Sequence, residues 1–180
     1  MQHADHVNLL SRGIPPALGK AAEYSWADFG SGTGAFTLAL AELIQPTGAI
    51  FSIDRDRSAL QAQEKQMQAR FPKVPVRYLE ADYAHPLALP PLDGLIAANT
   101  LHFQPDPAPV LKLFFSYLKP TGRMIIVEYN IAKGNYAVPY PLPYSAWEQL
   151  AQQAGFTLTQ LLATRPSHFL KEIYSALSIK

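Results

Sequence analysis

Apolar and polar positions change period several times along this chain, and the changes mark out its elements. Val7, Leu9, Leu10 and Ile14 form one face of a short helix ending near Arg12-Gly13. Ile14-Pro15-Pro16 breaks it, and a second short helix is expected over 18–23. Residues 24–29 read as extended and close on Gly30-Ser31-Gly32-Thr33-Gly34. Phe36, Leu38, Leu40, Leu43 and Ile44 then recur as a helix on an apolar surface, stopped by Pro46-Thr47-Gly48.

The same alternation repeats. A strand over 49–54 precedes a Gln-rich helix over 58–70, and a third strand over 74–79 follows. The run 92–98 is almost wholly apolar, the signature of a strand covered on both faces. A helix over 110–118 ends at Lys119-Pro120-Thr121-Gly122, before a fifth strand over 123–128. Beyond it lie a loop with Pro139, Pro141 and Pro143, and a helix through Trp147, Leu150 and Ala154 ended by Gly155. Two extended runs, 156–163 and 169–179, are joined by Thr164-Arg165-Pro166-Ser167, too short for a crossover helix. They predict an antiparallel hairpin.

Strand–helix alternation predicts an α/β fold, a Rossmann-like doubly wound sheet of seven strands, mostly parallel with the C-terminal hairpin antiparallel. The 180 residues read as a single domain: 1–23 an N-terminal helical lid or oligomer contact, 24–130 a cofactor-binding half, and 131–180 an acceptor-side loop, helix and hairpin.

Composition narrows the chemistry. Hydrophobic residues are 48% and charged residues 16% of the chain, which supports a core rather than disorder. Fifteen basic and fourteen acidic residues give +1, so no broad field for nucleic acid arises. Without cysteine there is no disulfide, thiol nucleophile or cysteine-bound zinc. His3 and His6 at helical spacing near a terminus are read as solvated, and no metal is expected. No stretch is long and apolar enough for a signal peptide or a membrane span, so a cytoplasmic setting without membrane insertion is expected.

Asp28-Phe29-Gly30-Ser31-Gly32-Thr33-Gly34 follows a strand and opens a helix, where an open α/β sheet binds ligands. Unpaired N–H groups at that helix start suit a carboxylate or phosphate. Gly30-x-Gly32-x-x-Ala35 also fits the relaxed dinucleotide fingerprint, and Asp54 follows Gly34 by 20 positions. An acid there holds ribose hydroxyls under either reading. Asp28 separates them, because a carboxylate beside the loop suits an ammonium better than a pyrophosphate. The ligand implied carries a ribose, an ammonium and a carboxylate.

With Glu80-Ala81-Asp82, Asp93-Gly94-Leu95-Ile96 and Leu118-Lys119-Pro120-Thr121-Gly122-Arg123, the pattern resembles class I S-adenosylmethionine-dependent methyltransferases over roughly residues 24–180. The resemblance implies S-adenosylmethionine as cofactor and S-adenosylhomocysteine as product. It implies Asp28, Gly30, Ser31, Gly32 and Gly34 around the methionine portion, Asp54 on the ribose and Asp82 on the adenine amino group. Arg55, Tyr83 and Asn99, beside these positions, complete the expected cofactor set. Asn99-Thr100-Leu101-His102-Phe103 resembles the small-molecule branch that includes quinone-biosynthesis enzymes.

A small-molecule acceptor is therefore expected, with His102, Phe103, Tyr136 and Tyr140 around it. His102 is the candidate general base, needed only where the acceptor must lose a proton. The sequence leaves open the acceptor, the methylated atom and the oligomeric state. A nicotinamide-dependent oxidoreductase and a non-catalytic cofactor-binding module remain as alternatives; the former lacks a Tyr-x-x-x-Lys pair.

Overall fold

The computed structural model describes residues 1–15, 24–44, 48–167 and 169–180. The helix expected over 18–23, the helix stop at Pro46-Thr47 and His168 lie outside the described residues. The elements run α1 His3–Ser11, β1 Tyr24–Phe29, α2 Ala35–Ile44, β2 Gly48–Asp54, α3 Arg57–Arg70, β3 Val76–Glu80 and β4 Leu92–Ala98. A 3-10 turn, Leu101–Phe103, follows, then α4 Ala108–Tyr117, β5 Leu118–Tyr129, α5 Tyr144–Ala154, β6 Leu158–Ser167 and β7 Lys171–Ile179. The strands form one seven-stranded sheet in the order β3-β2-β1-β4-β5-β7-β6. All neighbours are parallel except that β7 runs antiparallel to both β5 and β6.

Period-two alternation within apolar strands divides the interior into two layers. Ala27, Ile53, Leu95 and Ile126 face α4 and α5, whose Phe114 and Trp147 are fully buried. Trp26, Ile50, Ile96 and Ile125 face α1 and α2 on the other side. Both faces of β4 are thus covered, which is why its sequence shows no polar alternation. Helix ends follow local chemistry. Asp56 caps α3 by accepting from the N–H groups of Ser58 and Ala59, and Gly155 closes α5 in the left-handed region at φ 102°.

Two boundaries differ from expectation. Lys119-Pro120-Thr121-Gly122 lies inside β5 rather than before it. Leu92 pairs with Leu118 and Gly94 with Arg123, so β5 bulges here, with Thr121 at φ 64°. The C-terminal Lys180 holds this bulge, accepting from Thr121 N–H and donating to Gly122 O. Arg165-Pro166-Ser167 likewise continues β6, and the turn falls after it. Proline is tolerated because β6 is the sheet edge.

Helix α1 packs on α2, β6 and β7, burying Leu9 and Leu10 completely. His3–Ser11 thus covers the sheet, and residues 16–23 of the segment expected as a lid or oligomer contact lie outside the described residues. Its polar links fit this: Arg165 pairs with Asp5, Arg12 donates to Leu162 O, and His3 Nε2 lies 2.8 Å from Glu42 Oε2.

Candidate cofactor-binding site

The strand order reverses between β1 and β4, and a cavity of about 440 Å³ opens there, outside the C-terminal strand ends. Gly30, which opens the glycine loop after β1, lines it. Gly30 and Ser31 donate their N–H groups to Ile53 O at 2.8 and 3.0 Å, tying the loop to the end of β2. Gly34 N–H donates to Ser31 O at 3.0 Å. Gly30 sits at φ 71°, and a Cβ there would stand 2.6 Å from Thr100 Oγ1. Gly34, at φ 90°, lies against the buried side chain of Gln63 from α3. Both positions exclude a side chain by conformation and by space.

Asp54 completes the loop. Its Oδ2 accepts from Gly32 N–H at 2.7 Å and its Oδ1 from Asp56 N–H at 2.8 Å. The N–H groups of Gly30, Ser31, Gly32 and Gly34 are thus all used within the protein, and they hold the loop in shape.

Asp54 and Arg55 line the cavity beside Gly30. Next to them stand Ala81, Asp82 and Tyr83 from the segment after β3, with Ala81 N–H donating to Asp54 O at 3.0 Å. Asp82 Oδ1 accepts from Ala84 N–H at 2.9 Å, so it shapes its own turn as well as facing the cavity. The fourth strand end contributes Asn99, Thr100, Phe103 and Gln104. Asn99 adopts φ 52°, and its Oδ1 is buried with no hydrogen-bond partner among the described residues. Tyr83 bridges the two sides, donating its hydroxyl to Thr100 O at 3.0 Å.

Of the residues expected around ligands, Gly30, Asp54, Arg55, Asp82, Tyr83, Asn99 and Phe103 come together on the cavity wall. Ser31 lies behind the loop, its hydroxyl 2.7 Å from that of Ser52. Asp28 is not on the wall. It is buried under the loop and accepts from Thr37 Oγ1 at 2.6 Å, bracing the start of α2. Burial pushes its carboxyl up to about 7, against the Thr37 hydrogen bond, with the Asp54 charge adding to the rise.

Three residues expected on the acceptor side stand off this cavity's wall. Tyr136 is 94% exposed and Tyr140 47% exposed, and neither lines the cavity. Tyr140 N–H donates to His102 O at 3.0 Å, which ties this loop to the turn after β4. His102 itself is 2% exposed and off the cavity wall. Its Nδ1 lies 2.6 Å from Glu128 Oε2, at the end of β5. Glu128, fully buried, also accepts from the N–H groups of Thr100, Leu101 and His102 through Oε1. The pair holds the turn that carries Thr100, Phe103 and Gln104 to the wall.

Glu128, Thr100, Gln104 and Gln63 were absent from the expected site. Glu128 did carry a signal, an acid closing the apolar run Met124–Ile125–Ile126–Val127, as Asp54 closes β2. Thr100 and Gln104 had none, since their roles depend on contacts with distant segments. Among the described residues no group of three or more His, Asp or Glu is placed to hold a metal ion. No described helix is long and apolar enough to cross a membrane.

Comparison with known proteins agrees with this geometry. Residues 21–171 match the family model described as a methyltransferase domain. A demethylmenaquinone methyltransferase of Lactobacillus johnsonii is 29% identical over 113 residues, covering 61% of this chain and 45% of that protein. Its counterpart from Lactococcus lactis is 28% identical over 112 residues, covering 62% of this chain and 44% of that protein. The matches thus span less than half the length of these relatives. Among solved structures, the YcgJ protein of Bacillus subtilis superposes with a TM-score of 0.78 at 13% identity, covering 99% of both chains. Magnesium protoporphyrin IX methyltransferase from Synechocystis, solved with S-adenosylmethionine bound, gives 0.72 at 14% identity, covering 99% of this chain and 79% of that one. With its family model, sheet order and glycine loop in agreement, this chain belongs to the methyltransferase domain family, with the class I S-adenosylmethionine-dependent fold and a likeness to the quinone-biosynthesis members.

Proposed function

We propose that the chain binds S-adenosylmethionine in this cavity and transfers its methyl group to a small-molecule acceptor, releasing S-adenosylhomocysteine. The observation that carries the reading is the set of acceptor groups around the glycine loop. Asp54, Asp82 and Asn99 all line one cavity, and the Asn99 Oδ1, buried at its wall, has no partner among the described residues. A ligand with a ribose diol, an ammonium and an amino-purine presents donors to all three. Arg55, the cation among the lining residues, is the counterpart for the ligand's carboxylate.

When bound, the cofactor supplies an electrophilic methyl carbon on a sulfonium, open to in-line displacement. What remains for the protein is placement, and placement within about 3–3.5 Å accounts for much of the rate of such a step. Asp54 orients the ribose while anchoring Gly32. Asn99 is held at its strand end, in the left-handed region, by donation from its N–H to Val127 O. Phe103, 54% exposed at the cavity mouth, offers an aromatic face for the acceptor. His102 and Glu128 act as positioning residues beneath it. The acceptor class favoured is an aromatic hydroxyl compound, in keeping with the demethylmenaquinone methyltransferases among the relatives. The reading includes the cytoplasmic setting expected from the sequence and no nucleic-acid partner.

Calorimetric titration of purified, ligand-stripped protein tests the reading. S-Adenosylhomocysteine is expected to bind at micromolar Kd, about −8 kcal/mol, with NADH and NADPH giving no heat. Transfer of a labelled methyl group to hydroquinones and naphthols then tests the acceptor. Binding of a nicotinamide instead would overturn the cofactor.

A further inference from the structure

The side-chain amide of Gln104 can be oriented unambiguously by counting protons. Thr100 O is a carbonyl and can only accept, so the Tyr83 hydroxyl, 3.0 Å away, gives it its proton. The Tyr83 oxygen is then left with lone pairs alone. Gln104 contacts that oxygen at 3.3 Å, and only its NH₂ can make the contact favourable. The Gln104 Oε1 therefore points away from Tyr83, and no described residue donates to it. Since Gln104 lines the cavity, this oxygen is a fixed, uncharged hydrogen-bond acceptor for a ligand.

Its place in the cavity says which part of the ligand it meets. With a ribose held at Asp54, the base extends to the side where Ala81 and Tyr83 provide apolar and aromatic wall. That surface fits a flat ring, and Gln104 stands on it, tied to Tyr83. Asp82, the acid on the same side, already accepts from Ala84 N–H and has His85 Nδ1 3.5 Å from its other oxygen. A second acceptor, neutral and held in one orientation, adds what a partly engaged carboxylate at an exposed turn does not.

Resting on the cofactor reading above, we infer that Gln104 is a specificity-determining residue. Its Oε1, aimed by the Thr100–Tyr83 chain, accepts from the exocyclic amino group of a 6-aminopurine. A 6-oxopurine presents an oxygen at the same point, and two acceptors then face each other.

The test compares dissociation constants for S-adenosylhomocysteine and S-inosylhomocysteine, which differ in that group. The wild-type protein is expected to prefer the adenosyl compound. Gln104→Met should shrink the preference about tenfold, in line with loss of one oriented hydrogen bond and one repulsion. Tyr83→Phe reaches the same end without altering Gln104, because the amide is then free to turn over. A merely structural role would weaken both ligands together and leave their ratio unchanged, and that result would overturn the inference. Failure of the wild-type protein to bind S-adenosylhomocysteine would instead remove the cofactor reading itself.

Discussion

Asp54 Oδ2 accepts the Gly32 N–H at 2.7 Å, so the acid at the end of β2 and the glycine loop after β1 are one unit. The acid assigned to the ribose is also the clamp that shapes the loop beneath the ligand. Asp54→Ala therefore removes two things at once. It should cost about 1.5–3 kcal/mol of stability, the range for a hydrogen bond to a charged group, and weaken S-adenosylhomocysteine binding at least about tenfold. Asp54→Asn keeps an oxygen for Gly32 and should recover most of the stability but less of the affinity. Urea titration and calorimetry on both variants separate the two roles; equal losses in both measurements would leave Asp54 only a clamp.

Asp28 makes stability depend on pH. Its carboxyl, ordinarily near 3.8, is raised to about 7 by burial. The folded state thus binds this proton more tightly than the unfolded chain does. The contribution is whole below about pH 4 and is lost as pH rises through about 7. Asp28→Asn, which still accepts from Thr37, should flatten that slope and be the more stable protein at about pH 8. Urea midpoints across this range check it, and parallel curves for the two proteins would contradict it.

Gly94 on β4 lies against the ring of Trp26 on β1, and a Cβ there would overlap the indole. Trp26 is 1% exposed and walled in by α1 and α2, so it cannot swing away. Gly94→Ala should cost about 1–3 kcal/mol through overpacking. The measurement is a urea midpoint; Gly94→Ala with Trp26→Phe should recover part of the loss, because the smaller ring leaves room.

Local rules made most of the fold legible. The run Leu92–Ala98 needed no partner to identify it, since a strand buried on both faces has no polar alternation. The glycine loop and Asp54 were legible because their roles follow from backbone geometry over a few residues. Lys119-Pro120-Thr121-Gly122 read as a turn because each residue favours one. It is drawn into β5 by Lys180, a partner some sixty residues away that no local pattern reveals. Tyr136 and Tyr140 stand off the cavity wall, and aromatic clustering in sequence does not give the direction a loop takes. His102 was found but its surroundings were not, because its partner Glu128 lies on another strand.

That pair yields the sharpest test of what His102 does. Glu128 is fully buried and supports three backbone N–H groups as well as the imidazole, so its removal leaves several buried donors without an acceptor. Glu128→Leu should cost about 3 kcal/mol or more, at roughly 1–3 kcal/mol for each orphaned group. Glu128→Gln keeps one oxygen for the backbone and should cost about 1–2 kcal/mol, obliging His102 Nδ1 to accept rather than donate. If His102 positions the wall that carries Thr100, Phe103 and Gln104, His102→Asn lowers S-adenosylhomocysteine affinity and methyl transfer together, each about tenfold. A base would behave differently, losing turnover with cofactor affinity intact and removing the lower pKa from the pH profile of kcat. Burial at 2% and absence from the cavity wall favour the first outcome. Affinity and turnover measured on the same preparation of His102→Asn decide between them.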